Sequence, residues 1–317
     1  VDDIAKTRPM NRLLQGDVGS GKTVIAALAA MIAAKNGHQT AFMAPTEVLA
    51  QQHYKTLARI FGHLQVPIGL LTSSGVRVFF GDGLENTIKK DELKEQVRRG
   101  EVKIVVGTHA LIQKSVEMQS LGLAIVDEQH RFGVKARAAL LGEKQGLSPH
   151  FLSMSATPIP RTLTLTIFGD LDLSLITELP EGRHAIITKI VSPENRNKAY
   201  TFIAEQIKKG RQAFVVCPRI EKVEVVQSGE KQLLLWNEAK AVKAEYEKLS
   251  QKIFPNLNIA MLHGKMKPKE KSAVMAEFVA GKINILVSTS VIEVGVDIPN
   301  ATIMVIEGAE HFGLAQL

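Results

Sequence analysis

One glycine-rich segment has residue types that suit phosphate binding. Residues 16–23 read Gly-Asp-Val-Gly-Ser-Gly-Lys-Thr and fit the pattern G-x-x-x-x-G-K-T. Its glycines let backbone N–H groups turn inward around phosphate oxygens, and the helix that follows adds the positive end of its dipole. Lys22 is expected to reach the β- and γ-phosphates, and Thr23 to place its hydroxyl on Mg²⁺. The segment predicts a site for ATP and Mg²⁺ with these cofactor-binding residues: Gly16, Asp17, Gly19, Ser20, Gly21, Lys22 and Thr23.

A pair of carboxylates follows an apolar run further along the chain. Residues 123–130 read Leu-Ala-Ile-Val-Asp-Glu-Gln-His, which predicts a buried strand with acids at its C-terminal end, where parallel sheets bind ligands. Asp127 is expected to anchor Mg²⁺, directly or through water, and Glu128 to orient the attacking water and accept its proton. An Asp-Glu pair on a solvated loop usually has no function, but the preceding strand and the phosphate loop favour the catalytic interpretation.

The elements that must position these residues follow an alternating pattern. Short apolar runs, turns and helical periods repeat along the whole length, which predicts an α/β fold with parallel sheets. A charged stretch with Pro and Gly at 178–183 marks a domain boundary, giving domains 1–176 and 177–317, without an obvious internal repeat. Residues 73–86 and 221–229 are expected to be surface loops. The predicted strands are 12–15, 40–44, 68–72, 103–107, 123–127, 151–155, 185–191, 213–217, 258–262, 284–288 and 301–306, and the predicted helices include 194–209, 240–252 and 269–280.

Composition excludes several classes of protein. With 317 residues and 45% hydrophobic content, the chain is long and apolar enough for about two packed domains rather than a disordered chain. Its one cysteine excludes an internal disulfide framework and favours an intracellular, cytoplasmic setting. No apolar run reaches the ~18 residues of a membrane helix, so no membrane partner is expected. The net charge of +7 fits a partner that carries phosphates but is also typical of a soluble surface.

Three segments resemble the RecG family of superfamily 2 helicases: residues 9–15, 127–134 and 154–162. The transcription-repair coupling translocases share the Thr-Pro-Ile-Pro-Arg-Thr string of 157–162, but they usually have Glu where Gln129 stands here. The resemblance implies two tandem RecA-like domains of the P-loop NTPase class. It also implies an ATP-dependent DNA helicase or translocase that acts on branched DNA, such as forks and Holliday junctions, in recombination and repair. A monomeric motor in the bacterial cytoplasm, associated with the nucleoid, is the expected setting.

The same resemblance implies roles for further residues. Gln129 and His130 would complete the catalytic box as relays between the lobes, although a lone histidine is more often structural. Segments 44–52 and 107–111 resemble DNA-strand contacts, but Thr46 and Thr108 also suit plain helix caps. Gly295 and Asp297 would approach the ATP ribose and γ-phosphate, unless the stretch is an ordinary turn. The implied DNA-binding residues are Pro45, Thr46, Gln51, Thr108, His109, His263, Gly264 and Thr289, and the residues implied to couple nucleotide state to DNA grip are Ser155 and Thr157.

The chain also departs from the family pattern. The family ends its motor with Gln-x-x-Gly-Arg-x-Gly-Arg, whereas this sequence ends at Ala315-Gln316-Leu317 and has no arginine after Arg219. We therefore expect the second domain to be incomplete at its C-terminus, the wedge domain to be absent, and the isolated chain to bind ATP weakly and hydrolyse it barely. Two other interpretations stay open: a short DNA-binding protein without ATPase activity, and an unrelated phosphate-loop ATPase without DNA. The last would leave segments 44–52, 107–111 and 288–299 unexplained.

Overall fold

The chain folds into two compact units, Val1–His184 and Ala185–Leu317. The computed structural model describes residues 2–6, 8–73, 75–113, 116–128, 148–156, 171–178, 186–218, 241–289 and 298–312. Within these ranges, no helix is long and apolar enough to cross a membrane.

Unit 1 contains a nine-stranded sheet in the order β5-β4-β3-β6-β2-β7-β8-β1-β9. Seven neighbouring strands, from β3 to β9 in that order, are parallel, and the β4–β5 hairpin adds two antiparallel strands at one edge. The strands are β1 Asn11–Gly16, β2 Gln39–Met43, β3 Ile68–Leu71, β4 Val76–Gly81, β5 Leu84–Thr87, β6 Ile104–Gly107, β7 Leu121–Asp127, β8 His150–Ser155 and β9 Asp172–Ile176.

Apolar clusters cover both faces of this sheet. Strands β2, β3 and β6 are buried along their whole length, so they lack the polar alternation of a strand with one solvated face. Phe42 and Ile125 point into one cluster and Met43 and Val126 into the other, as the two-residue repeat of a strand requires. The helices of this unit are α1 Lys22–Lys35, α2 Glu47–Ile60 and α3 Lys90–Arg98.

Two features of unit 1 differ from the sequence-based expectation. Residues 73–86 were expected to form a surface loop, but β4 and most of β5 extend the sheet there. Val76, Val78 and Phe79 of β4 are buried against the core, whereas Arg77 and Phe80 are exposed. Strand β9, which pairs with β1, was not predicted, because its burial is only partial and its sequence has no long apolar run.

Unit 2 contains a four-stranded parallel sheet in the order β11-β12-β10-β13. Its strands and helices match the predicted positions within a few residues, except that residues 186–191 form no strand in the structure. The predicted helix 240–252 ends in a π-helical turn, Leu249–Ile253. The strands are β10 Gln212–Val216, β11 Ile259–Leu262, β12 Ile285–Ser288 and β13 Ala301–Ile306, and the helices are α4 Arg196–Lys208, α5 241–248 and α6 Pro268–Val279.

A buried glutamine braces each unit in the same way. Gln39 Nε2 donates to the carbonyl oxygens of Val97 and Val102, at 2.8 and 2.9 Å. Gln212 Nε2 donates to those of Phe278 and Ile283, both at 2.7 Å. In each case the amide joins the first residue of a central strand to the C-terminal end of a helix and to the loop that follows it. The Val97 and Phe278 carbonyls lie in the last turn of a helix, and each also accepts from the N–H of a following glycine, at 3.0 Å.

The brace belongs to a longer repeat that the sequence alone did not make obvious. Residues 37–45 and 210–218 align without a gap and share Gly, Gln and Pro at equivalent positions. The central strands β2 and β10 each shift register at their glutamine against one neighbour, β7 and β13 respectively. Against their other neighbours, β6 and β12, the first pairs are also equivalent: Thr40 pairs with Ile104, and Ala213 pairs with Ile285. Both units therefore use the same local arrangement of three parallel strands.

Replacing Gln39 by Leu is expected to destabilise unit 1 by about 1–3 kcal/mol, because two carbonyl groups lose a buried side-chain donor. Chemical denaturation followed by circular dichroism measures this loss. Gln65→Leu is the matched control, since Gln65 is exposed, and it is expected to change stability by less than about 0.5 kcal/mol. Equal effects of the two substitutions would contradict the role of the brace.

The thiol of Cys217 is expected to react slowly in the folded protein. Burial, with Glu245 and Glu307 nearby, raises the pKa of Cys217 to about 12. At pH 8 its thiolate fraction is then more than about 1000-fold below that of an unfolded cysteine. Because the chain has one cysteine, the labelling rate with a thiol reagent, in buffer and in denaturant, reports this site alone. Fast labelling without denaturant would show that the site is open.

Candidate functional site

Three adjacent strands bring the predicted catalytic segments to one edge of the unit 1 sheet. In the order β7-β8-β1, each strand pairs in parallel with the next. The phosphate loop follows β1, the Asp127-Glu128 pair lies at the end of β7, and Ser155 ends β8 between them. The C-terminal edge of a parallel sheet is where such folds bind ligands.

The phosphate loop has the backbone geometry that its glycines predict. Gly21 has φ 93°, a left-handed conformation that favours glycine, and α1 begins at the next residue. A Cβ added to Gly16 would lie 2.6 Å from Ser20 Oγ, so only glycine fits there without a shift of the loop. The loop therefore keeps an open turn at the N-terminus of a 14-residue helix.

Lys22 lies inside this turn. Its Nζ donates to the carbonyl oxygens of Gly16 and Asp17, both at 2.7 Å. Burial lowers the pKa of Lys22, and the nearby carboxylates of Asp127, Glu128 and Asp17 act in the opposite direction. The ammonium group thus lies among oxygen atoms that a bound phosphate can replace as partners.

Glu128 is held in an uncommon backbone conformation at the end of β7. Its φ of 51° lies in the left-handed region, which costs free energy for a residue other than glycine. The Glu128 N–H donates to the Met154 carbonyl at 2.9 Å, and its Oε1 accepts from the Ala156 N–H at 3.1 Å. Both partners belong to β8 or to the residue that follows it. The carboxylate is therefore oriented by the segment predicted to couple nucleotide state to DNA grip.

Asp127 is held from a different direction. His53 of α2 donates from Nε2 to Asp127 Oδ2 at 2.7 Å, and both side chains are buried. His53 was not among the residues selected from the sequence. The available signal was an ionisable residue inside the apolar face of α2, next to Tyr54 and one turn before Leu57.

The residues present fit a Mg²⁺-bound nucleoside triphosphate. Ser20 Oγ is buried and has no hydrogen-bond partner within the described ranges, as expected of a group whose partner is a ligand. No cluster of three or more His, Cys, Asp or Glu in the described part of the chain could hold a metal ion by itself. Mg²⁺ in nucleotide sites takes most of its ligands from phosphate and water. Thr23 and Asp127 are the residues that would hold it.

The implied DNA contacts of unit 1 follow two other strands of the sheet. Thr46 caps α2, accepting from the Leu49 N–H at 3.3 Å, and Pro45 and Gln51 are half-buried beside it. Thr108 precedes a short 3₁₀ helix, His109–Ile112, whose first residue His109 is exposed. Thr46 therefore forms the helix cap that the sequence offered as its alternative role. This cap is compatible with a DNA contact, because other N–H groups at the helix start still face outward.

In unit 2, the implied contacts follow β11 and β12. His263 and Gly264 come directly after β11 and are half-buried. Thr289 follows β12 and is fully buried, and its hydroxyl has no hydrogen-bond partner in the part of the chain that the structure describes. Five predicted site residues lie outside the described residues: Gln129, His130, Thr157, Gly295 and Asp297.

Two protein-family models match the chain. The DEAD/DEAH box helicase model matches residues 3–166, and the helicase conserved C-terminal domain model matches residues 195–316. These matches confirm the predicted α/β fold of two tandem RecA-like domains. Mss116p bound to single-stranded RNA and AMP-PNP has the same fold, with a TM-score of 0.65, 15% identity, and coverage of 96% of this chain and 61% of that one.

More similar relatives are ATP-dependent DNA helicases named RecG. Those of Synechocystis sp. and Aquifex aeolicus are 49% and 48% identical over all of this chain, which covers 35% and 37% of their lengths. The RecG of Escherichia coli K12 is 45% identical over 99% of this chain and 43% of its own length. The chain thus spans less than half of these relatives.

A solved structure agrees with this similarity. RecG bound to a three-way DNA junction superimposes with a TM-score of 0.74 at 40% identity, covering 99% of this chain and 38% of that one. The predicted resemblance to the RecG family is confirmed along the full chain. With the helicase model matching residues 3–166 of 317, the chain belongs to the DEAD/DEAH box helicase family.

Proposed function

We propose that this chain is the motor core of an ATP-dependent DNA translocase that remodels branched DNA, such as forks and Holliday junctions, in recombination and repair. Its two domains are 1–176 and 177–317. The observation that carries the proposal is the proximity of Lys22, in the phosphate loop that follows β1, to Asp127 and Glu128 at the end of β7, two strands away in the parallel sheet. The motor acts as a monomer in the bacterial cytoplasm, at the nucleoid.

In this proposal, each residue of the site has a separate task. Backbone N–H groups of the phosphate loop bind the phosphate oxygens, and Lys22 exchanges the Gly16 and Asp17 carbonyls for the β- and γ-phosphates. Thr23 and Asp127 would hold Mg²⁺, which would neutralise negative charge on the phosphates. Glu128 orients the attacking water and accepts its proton, and the Ala156 N–H keeps that carboxylate aimed. By the family resemblance, Gln129, His130, Gly295 and Asp297 would also take part in nucleotide binding or hydrolysis.

DNA binding in the proposal relies on phosphate contacts made by equivalent positions of the two units. Thr108 follows β6 and Thr289 follows β12, and these strands have the same register against β2 and β10. Hydroxyl and backbone N–H groups at such strand ends can bind backbone phosphates without reading bases. The other proposed phosphate contacts are Pro45, Thr46, Gln51 and His109 in unit 1 and His263 and Gly264 in unit 2. Ser155 and Thr157 would couple DNA binding to the nucleotide.

The preference for branched DNA rests on the relatives. One solved relative of 40% identity is bound to a three-way DNA junction. The chain covers 38% of that protein. The motor core would supply the pulling force on one duplex arm.

Replacing Lys22 by Ala in the full-length protein is expected to abolish ATP hydrolysis while DNA affinity stays nearly unchanged, because the substitution removes the charge proposed to bind the β- and γ-phosphates and no proposed DNA contact. Phosphate release measures hydrolysis, and fluorescence anisotropy measures DNA binding. Lys35→Ala, an exposed charge at the other end of α1, is the matched control and should retain both. Unchanged hydrolysis in the Lys22→Ala protein would refute the site.

DNA binding by the full-length protein is expected to weaken steeply with salt and to depend on DNA shape rather than sequence. Neutralising six or more phosphates costs about 1000-fold in affinity between 50 and 200 mM salt. Affinities for a three-way junction, a linear duplex of equal length and a junction of scrambled sequence separate these effects. Equal affinity for the linear duplex and the junction would contradict the branched-DNA proposal.

A further inference from the structure

A buried hydrogen bond joins the helix of the proposed DNA contact to the acidic pair. His53 Nε2 and Asp127 Oδ2 are 2.7 Å apart, and the two residues are 74 positions apart in the chain. The acceptor is a carboxylate oxygen, so Nε2 carries the hydrogen. Neither phosphate binding nor water activation, as proposed above, assigns a role to His53.

The imidazole of His53 is fixed by packing. Its ring centroid lies 4.7 Å from that of Phe42, with an angle of 40° between the planes. Phe42 is fully buried in the central strand β2, and His53 itself is 8% exposed. A ring held in this way points its N–H in one direction, which is how groups behind a metal ligand orient it.

Helix α2 connects His53 to the first proposed DNA contact. The helix begins after Thr46, and His53 follows that cap by seven residues, or about 10 Å along the axis. Residues seven apart lie on the same face of a helix, and Leu49, Ala50 and Leu57 pack that face into the core. A shift of the helix start on binding a phosphate would therefore be carried to the imidazole by one continuous hydrogen-bonded element.

We infer that His53 is a positioning residue that orients the Asp127 carboxylate for Mg²⁺ and makes this orientation responsive to DNA at the start of α2. The inference rests on the proposed function, since it needs both nucleotide and DNA at this unit. Coupling of this kind is reciprocal: DNA changes the affinity for the Mg²⁺–nucleotide, and the Mg²⁺–nucleotide changes the affinity for DNA by the same factor. The competing explanation is a core histidine that only stabilises the fold.

The test is a Mg²⁺ titration of fluorescent ADP binding to the full-length protein, with and without a single-stranded oligonucleotide. In the wild type, DNA is expected to shift the Mg²⁺ concentration at half-saturation. His53→Leu fills the space but lacks the N–H, and should raise that concentration about 10- to 100-fold and remove its dependence on DNA. His53→Gln retains an N–H donor and should restore both properties.

Leu57→Ala is the matched control for lost stability. Leu57 is fully buried on the same helix, one turn after His53, and its truncation should lower the melting temperature without changing the Mg²⁺ titration. Three outcomes would each overturn the inference. These are a Mg²⁺ titration of His53→Leu that matches the wild type, an equal change in Leu57→Ala, and a wild-type titration that does not depend on DNA. If Lys22→Ala also hydrolysed ATP normally, the proposed function would fail instead.

Discussion

Parallel hydrogen bonding among β7, β8 and β1 is the constraint on which the site depends. Parallel strands run in one direction, so their C-terminal ends, and the loops that follow, must lie side by side. Gln15 pairs with Ser155, and Asp127 with Met154. The strand order places the phosphate loop and the acids two strand spacings apart, and the register aligns their ends. A one-residue slip would turn each of these side chains to the other face of the sheet.

The same edge brings together groups that are costly to bury. Lys22, Asp127 and Glu128 lie within electrostatic range of one another, and each has a defined partner: backbone carbonyls for Lys22, an imidazole for Asp127 and a backbone N–H for Glu128. Buried charges that are held in this way need little rearrangement when a ligand arrives. The left-handed φ of Glu128 is a local cost that the surrounding hydrogen bonds offset.

The two units show how one arrangement of strands serves two purposes. In each unit, a glutamine at the start of a central strand forms the brace, and a threonine follows the neighbouring strand. The nucleotide site adds β1, β8 and the phosphate loop to this arrangement in unit 1. In the proposal, the shared part of the arrangement binds DNA in both units, and the added strands supply the chemistry.

The sequence by itself determined the phosphate loop, the acid pair and most central strands, because these depend on short-range spacing and on continuous burial. Local pattern also placed Thr46 at a helix start. Only the tertiary structure decided the β4–β5 hairpin, strand β9, the absence of a strand at 186–191 and the bond between His53 and Asp127. These features depend on pairing between residues distant in the chain, where the neighbour across the sheet, rather than the residue's own type, fixes the outcome. The repeated glutamine brace belongs to the same class, since each amide joins residues 58 to 71 positions apart in the chain.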